Sequence, residues 1–185
     1  MVRVRRADPA TDATACAAVY EHYVRASHVT FETEAPGTRE MAGRMRATLA
    51  WTPWFVACEN GVVLGYAYAS RHRERAGYRW AVDASIYLDP NAHGRGVGRT
   101  LYAPLFPLLQ QQGFYRVYAG IGLPNEPSVG IHRSFGFEDV GIYHKVGWKH
   151  GAWVDVLWMA LALRDDDANP PAEPIPFPEL AAGIP

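Results

Sequence analysis

The sequence predicts one α/β (α+β) domain, a mixed sheet with helices on both of its faces. Three observations point there. Strand-like apolar runs alternate along the chain with stretches of helical period. An Asn60-Gly61 pair stands between two apolar runs, a strong short-range signal for a β-hairpin. A chain of 185 residues, 49% hydrophobic and 20% charged, suffices for a single soluble domain with its own core. No internal repeat is visible.

Taken in order, "VRVRRA" (2–7) alternates and predicts a first strand. A helix is expected next, to about Ala26, with Asp8 and Thr11 as cap candidates and Val19 and Tyr23 on one face. "HVTFETEAPGT" breaks the pattern and predicts a loop. A second helix starts after Thr38, with Glu40 early in its first turn and Met41, Met45 and Leu49 aligned on one face. "WFVACENGVVLGYAYASR" is the hairpin. "RHRERAG" is a charged turn, and "YRWAVDASIYL" (78–88) another strand.

A glycine-rich loop follows, then a helical run to about Gln112 that contains Pro104 and Pro107. An interior proline removes a backbone bond, clashes with the carbonyl four residues back and costs about 3 kcal/mol or more. A kink near residues 100–104, or a shortened helix, is therefore expected. Val97, Leu101, Leu105 and Leu108 still form an apolar stripe that keeps some helix. "FYRVYAGIGL" is a strand, "EPSVGIHRSFGF" a short helix ended by Gly136, and the last apolar runs are two strands around the turn "KHG". Residues 1–163 form the domain. Residues 164–185 are rich in proline and acid and predict an irregular or disordered tail, with docking of Phe177 and Leu180 on the body or on a partner subunit as the alternative.

Composition excludes several classes of function. Eighteen basic against 19 acidic residues, a net charge of -1, give no electrostatic footprint for nucleic acid or an anionic membrane. No apolar run approaches the roughly 20 residues of a membrane helix. The start, "MVRVRRADPA", has no apolar segment of the kind a signal peptide needs. Cys16 and Cys58 are two cysteines without metal-ligand neighbours, read as reduced thiols of a cytoplasmic protein.

The chemistry starts at "LDPNAHGRGVGRTLY" (88–102). A strand, a glycine-rich turn and a helix start make an anion site, because the first helical amides lack internal partners and the helix dipole adds positive charge. Glycines permit positive φ and a close approach of phosphate to the backbone. The other reading is a tight turn with close helix–strand packing. The P-loop pattern is absent, since Arg99-Thr100 follows Gly98 without a lysine, and the dinucleotide fingerprint fails because Arg99 stands where its third glycine belongs.

"His93-Gly94-Arg95-Gly96-Val97-Gly98" resembles the pyrophosphate loop of acyl-coenzyme A N-acetyltransferases, Q/R-x-x-G-x-G/A, at every position but the first, where His93 stands. "TFETEAP", "YRWAVDASIYL", "GFYRVYAGIGLPNEPSVGIHRSFGF" and "GWKHGAWVDV" extend the likeness from Val2 to Leu163. The sequence is similar to the GNAT superfamily of N-acetyltransferases, and within it to the phosphinothricin/methionine sulfoximine N-acetyltransferases. The resemblance implies a mostly antiparallel central sheet flanked by helices, with a strand pair that splays to admit acyl-CoA. It implies that Ser85, Ile86, Tyr87 and Leu88 line the pantetheine arm, and that Gly94, Arg95, Gly96, Val97, Gly98 and Arg99 hold the pyrophosphate. Asn125 and Ser128 would flank the coenzyme. Asp83 aligns with the family's proton-accepting glutamate, one methylene shorter, acting directly or through water. His132 stands where the family protonates the leaving thiolate.

For the acceptor, the same resemblance implies Arg73, Arg75 and Tyr78 in the charged turn, Phe31 as a pocket aromatic and Tyr102 on the helix after the glycine loop. Lys149, His150 and Asp155 either line the pocket or stabilise a dimer. The expected activity is transfer of acetyl from acetyl-CoA, with no metal, to a small amino-acid-like amine, by a homodimer. Acetylation of a polyamine or a protein N-terminus, transfer of a larger acyl group, and a non-catalytic acyl-CoA-binding module are the rival readings.

Overall fold

The computed structural model describes residues 1–165 and 171–182. The elements are β1 (Arg3–Arg6), α1 (Ala13–Ala26), α2 (Thr38–Leu49), β2 (Trp54–Glu59), β3 (Val62–Arg71), β4 (Ala81–Leu88), α3 (Val97–Gln112), β5 (Arg116–Gly122), α4 (Glu126–Ser134), β6 (Glu138–Lys149), β7 (Ala152–Ala162) and α5 (Phe177–Ala182). The strands form one seven-stranded sheet in the order β1-β2-β3-β4-β5-β7-β6. Every neighbouring pair is antiparallel except β4 and β5, which are parallel.

Alternation along each strand sends side chains to two cores. On one face Phe55, Ala67, Val82, Ala84 and Val117 meet α3 through Leu101, Leu105 and Leu109. On the other Trp54, Val56 and Tyr66 meet α1 and α2 through Cys16, Val24, Met41 and Met45. The expected face of α2 is thus the buried one. The β2–β3 turn is made by Asn60 and Gly61 at φ 51° and 82°, and the β6–β7 turn by His150 and Gly151 at φ 51° and 77°.

Four expectations need correction. The cap of α1 is Asp12, not Asp8 or Thr11; the Asp12 carboxylate turns back to accept both guanidinium nitrogens of Arg5, at 2.6 and 2.7 Å, and the Asp8 amide. β4 starts at Ala81, because Ala76–Tyr78 close into a turn of 3-10 helix instead. The helix after the glycine loop is not shortened: α3 runs unbroken from Val97 to Gln112 through Pro104 and Pro107. Its apolar face is completely packed, with Leu101, Leu105 and Leu109 each at 0% exposure, and this burial outweighs the two missing backbone bonds. The tail takes the docked form over residues 171–182. Phe177 is 4% exposed against the α1–α2 core, and the amides of Ile175 and Phe177 donate to the carbonyls of Gln112 and Trp51. Residues 166–170 and 183–185 of the expected tail lie outside the described residues.

Candidate active site

The parallel pairing of β4 with β5 lasts for three residue pairs, Ala81–Arg116, Val82–Val117 and Asp83–Tyr118. Beyond Asp83 the strands part. Ser85 to Leu88 remain paired to β3 on one side, but have no strand on the other. The open edge leads to the N-terminus of α3, and a groove of about 460 Å3 runs between them, walled by Ile86, Leu88, Gly94, Gly96, Asn125 and Ser128.

The three glycines do two different jobs. Gly94 and Gly96 sit at φ 71° and 76°, in the left-handed region, and a Cβ on either would meet open space. They turn the chain so that α3 begins at the groove. Its first main-chain bond runs from Thr100 to the Gly96 carbonyl, leaving the amides of Val97, Gly98 and Arg99 without a main-chain partner. Gly98 is a packing glycine: a Cβ there would come within 2.7 Å of Ile131 and 3.3 Å of Ile86. Close packing is thus met at Gly98, and the turn at Gly94 and Gly96 leaves open amides of the kind the anion reading requires. Unpartnered amides, a helix dipole and an unfilled hollow fit the diphosphate of a coenzyme A thioester.

The flanking basic residues have partners. Arg95 pairs with Glu59, and Arg99 donates to the Ser134 hydroxyl at 2.8 Å and lies over the Phe135 ring. His93 reaches the Tyr23 hydroxyl at 3.0 Å, and Tyr23 donates to the Leu88 carbonyl at 2.6 Å. Asn125 caps α4, its side chain accepting from the Ser128 amide at 3.2 Å. These bonds hold the groove walls together.

A smaller cavity of about 50 Å3 continues from the groove between β4 and β5, lined by Ser85, Tyr87, Gly120, Asn125, Tyr102 and His132 among others. His132 is 2% exposed and Tyr102 0%. The Ser128 carbonyl, 2.7 Å from Nδ1 of His132, only accepts, so Nδ1 carries the proton. In the neutral ring Nε2 is then an acceptor, and the Tyr102 hydroxyl, 3.0 Å away, donates to it. Burial lowers the His132 pKa below its ordinary 6.5 and raises that of the Tyr102 phenol. Tyr102, expected among the acceptor residues, is thus buried beside His132 and does not line the cavity of Arg73.

At the other end of the seam Asp83 sits on the face that looks toward α1 and α2. His72, one step beyond the end of β3, places Nδ1 2.6 Å from Asp83 Oδ1. Burial raises the Asp83 carboxyl above its ordinary 3.8, with the His72 bond pulling against it. The sequence reading missed this partner. Only the strand register could have found it: Ser70 stands opposite Asp83, and His72 follows on the same face. The missed Tyr23 left no signal beyond its place on α1.

The remaining acceptor residues divide. Arg73 lies over the Trp158 ring at 5.8 Å, and both line a cavity of about 170 Å3 with His72, Tyr118 and Tyr143. Tyr78 meets His72 edge-on at 6.1 Å. Arg75 is exposed. Phe31 packs on the bare backbone of Gly147, where a Cβ would fall 2.1 Å from its ring, and lines none of these three cavities. Lys149 is buried and donates to the Thr30 carbonyl at 2.7 Å, so it anchors the α1–α2 loop. Asp155 accepts from the Lys145 amide and from His144 and shapes the bulge of β6, while His150 makes the turn. No group of three or more metal-ligating side chains occurs among the described residues, and no helix there is long and apolar enough to cross a membrane.

Comparison with known proteins agrees with this geometry. Residues 16–137 match the acetyltransferase (GNAT) family. The chain is 38% identical over 172 residues to a phosphinothricin N-acetyltransferase of Alcaligenes faecalis, covering 92% of this chain and 86% of that protein. It is 34% identical over 170 residues to an L-methionine sulfoximine/L-methionine sulfone acetyltransferase of Salmonella typhimurium, covering 91% and 98%. A phosphinothricin acetyltransferase of Sinorhizobium meliloti, solved in complex with acetyl-CoA, superimposes with a TM-score of 0.87 at 36% identity, covering 94% of this chain and 95% of that one. With its family match, its sequence relatives and its parted strands in agreement, the chain belongs to the GNAT family of acetyltransferases.

Proposed function

We propose that this N-acetyltransferase moves the acetyl group of acetyl-CoA onto the primary amine of a small amino-acid-like substrate, of the phosphinothricin or methionine sulfoximine type. The observation that carries the reading is the parting of β4 and β5 directly after Asp83, with the groove from α3 on one side and the His72–Arg73 cavity near its closed end. Acetyl-CoA, when bound, supplies the acyl group as an activated thioester.

The chain's own groups do the rest. The amides of Val97, Gly98 and Arg99 grip the diphosphate. Ser85 to Leu88 offer strand backbone to the pantetheine arm, and Asn125 and Ser128 bound it. An amine attacks only when neutral, so its proton leaves at the Asp83 end of the seam. The Tyr102 hydroxyl, turning from Nε2 of His132, gives its proton to the departing thiolate, and the amine's second proton restores the bond to His132. Arg73 is the cation for the acceptor's carboxylate, and Tyr78 walls the same space.

Residues 1–163 are the catalytic domain on this reading, and the tail braces it. The exposed Ile142, Tyr143, Val146, Trp148 and Trp153 on β6 and β7 suit burial in a homodimer. The free thiols Cys16 and Cys58 suit the cytoplasm.

The test is acetyl-CoA consumption across phosphinothricin, methionine sulfoximine, methionine sulfone, polyamines and a peptide N-terminus. Turnover is expected with the amino-acid analogues. Tight coenzyme binding without acetylation of any amine refutes the reading, and a preference for polyamines refutes the acceptor class.

A further inference from the structure

We propose that His72, and not Asp83 itself, takes the proton from the acceptor amine, with Asp83 as the positioning residue that orients the imidazole; the inference rests on the acetyl-transfer reading above. The geometry begins with the ladder between β3 and β4. Ser70 pairs with Asp83 and Arg71 with Val82, and the His72 amide continues the ladder to the Ala81 carbonyl. His72 and Asp83 therefore share a face, and their side chains meet at 2.6 Å.

The ring is clamped. It stacks on Tyr118 with centroids 4.5 Å apart and planes 24° from parallel, and it meets Trp158 edge-on at 6.0 Å. Tyr118 is the last β5 residue paired to β4 before the seam opens, so the clamp sits at the closed end of the split.

A carboxylate only accepts hydrogen bonds, which puts the proton of neutral His72 on Nδ1 and the lone pair on Nε2. Nε2 has no hydrogen-bond partner among the described residues and is not sealed from solvent. The ring lines the cavity that also holds Arg73 and Trp158. Asp83, in contrast, has Oδ1 committed to the imidazole and lines neither this cavity nor the one beside His132. Of the two groups only the imidazole lines this cavity, and Nε2 is its unbonded basic atom.

The step is a proton transfer. An N–H bond of the substrate ammonium breaks, its electron pair stays on the amine, and the proton forms a new N–H bond at Nε2. The imidazolium that results keeps Nδ1–H on Asp83, whose negative charge stabilises it, and later releases its new proton to water. The arrangement places the base on the turn that also carries Arg73, so one short segment binds the acceptor's carboxylate and deprotonates its amine.

The experiment compares wild type, His72→Ala and Asp83→Asn, with and without added imidazole. His72→Ala is expected to lower kcat/KM about 10²- to 10⁴-fold, with acetyl-CoA affinity unchanged, and imidazole to restore about tenfold or more of that loss. A His72→Ala enzyme that keeps wild-type turnover, or a loss that imidazole leaves untouched, overturns the proposal. Nitrogen NMR of the neutral His72 ring gives a readout free of turnover: a proton on Nδ1 is expected, moving to Nε2 in Asp83→Asn. A proton on Nε2 in the wild type also overturns it. Wild-type protein that acetylates no amine refutes the acetyl-transfer reading together with this one, whereas turnover that survives His72→Ala refutes this one alone.

Discussion

The two histidine pairs of the seam differ in everything but the imidazole. His72 is bonded to a carboxylate, its side chain 13% exposed beside an Asp83 at 25%. His132 is bonded to a phenol and a backbone carbonyl and is sealed in the core. A carboxylate stabilises an imidazolium; a phenol and a carbonyl in a dry site stabilise the neutral ring. The same side chain thus keeps its Nε2 free of a side-chain partner among the described residues on one side, and has it tied to a phenol on the other. Environment, not residue type, divides the labour.

The first way to break this contrast is Asp83→Asn, with the largest expected effect. kcat/KM should fall about 10³-fold, within the range for disabling general-base catalysis, because the His72 imidazolium loses the carboxylate that stabilises it, while thermal stability stays near wild type because the pair is half-open. Steady-state thiol release beside a thermal melt checks both; full activity ends the contrast. Tyr102→Phe comes second and should move both readouts. The buried Nε2 of His132 loses its only donor among the described residues, at a cost of about 1–3 kcal/mol in stability, and kcat should drop about 10- to 100-fold with coenzyme affinity preserved. A change in activity without one in stability would show that water reaches the pair.

A pH series is third. The folded chain holds His132 neutral below its ordinary pKa of 6.5. The unfolded chain takes up a proton there, so this contribution is complete above pH 6.5 and is lost as pH falls toward the folded value. The slope is at most about 1.4 kcal/mol per pH unit. Denaturant midpoints for wild type and His132→Asn should converge on acidification. Asp83 has the opposite sign: its raised carboxyl favours the fold at low pH and loses that advantage as pH rises above 3.8. The smallest effect is expected for Gly96→Ala. Forcing a Cβ onto the left-handed φ of 76° costs about 1–2 kcal/mol. It should raise the KM for acetyl-CoA and leave kcat at saturation unchanged, which separates gripping the coenzyme from moving protons.

Much of this was legible along the chain. Asn60-Gly61 named its hairpin, and the glycines before Val97 named the turn into α3, because both signals are local. His132 and Asp83 were found by likeness, not by physics. What stayed hidden was pairing at a distance: Tyr102 and His132 stand 30 positions apart, and His72 and Asp83 11 apart. Each pair exists only once helices have packed or strands have registered. The prolines of α3 misled about its length for the same reason, since the burial that outweighs them comes from the sheet. The tail looked formless in composition, yet Phe177 finds a hollow that no local rule announces.

Three rungs of main chain stitch the two leaves of the sheet together, and above the stitch each leaf is free of the other. Fewer main-chain bonds across the seam should make it the first place where the molecule opens without a guest. Amides along Ser85 to Leu88 that face it should swap deuterium quickly, and slow once a thioester lies between the leaves. The guest then works as a splint, so the protein is stiffest while loaded and loosens as it lets its product go.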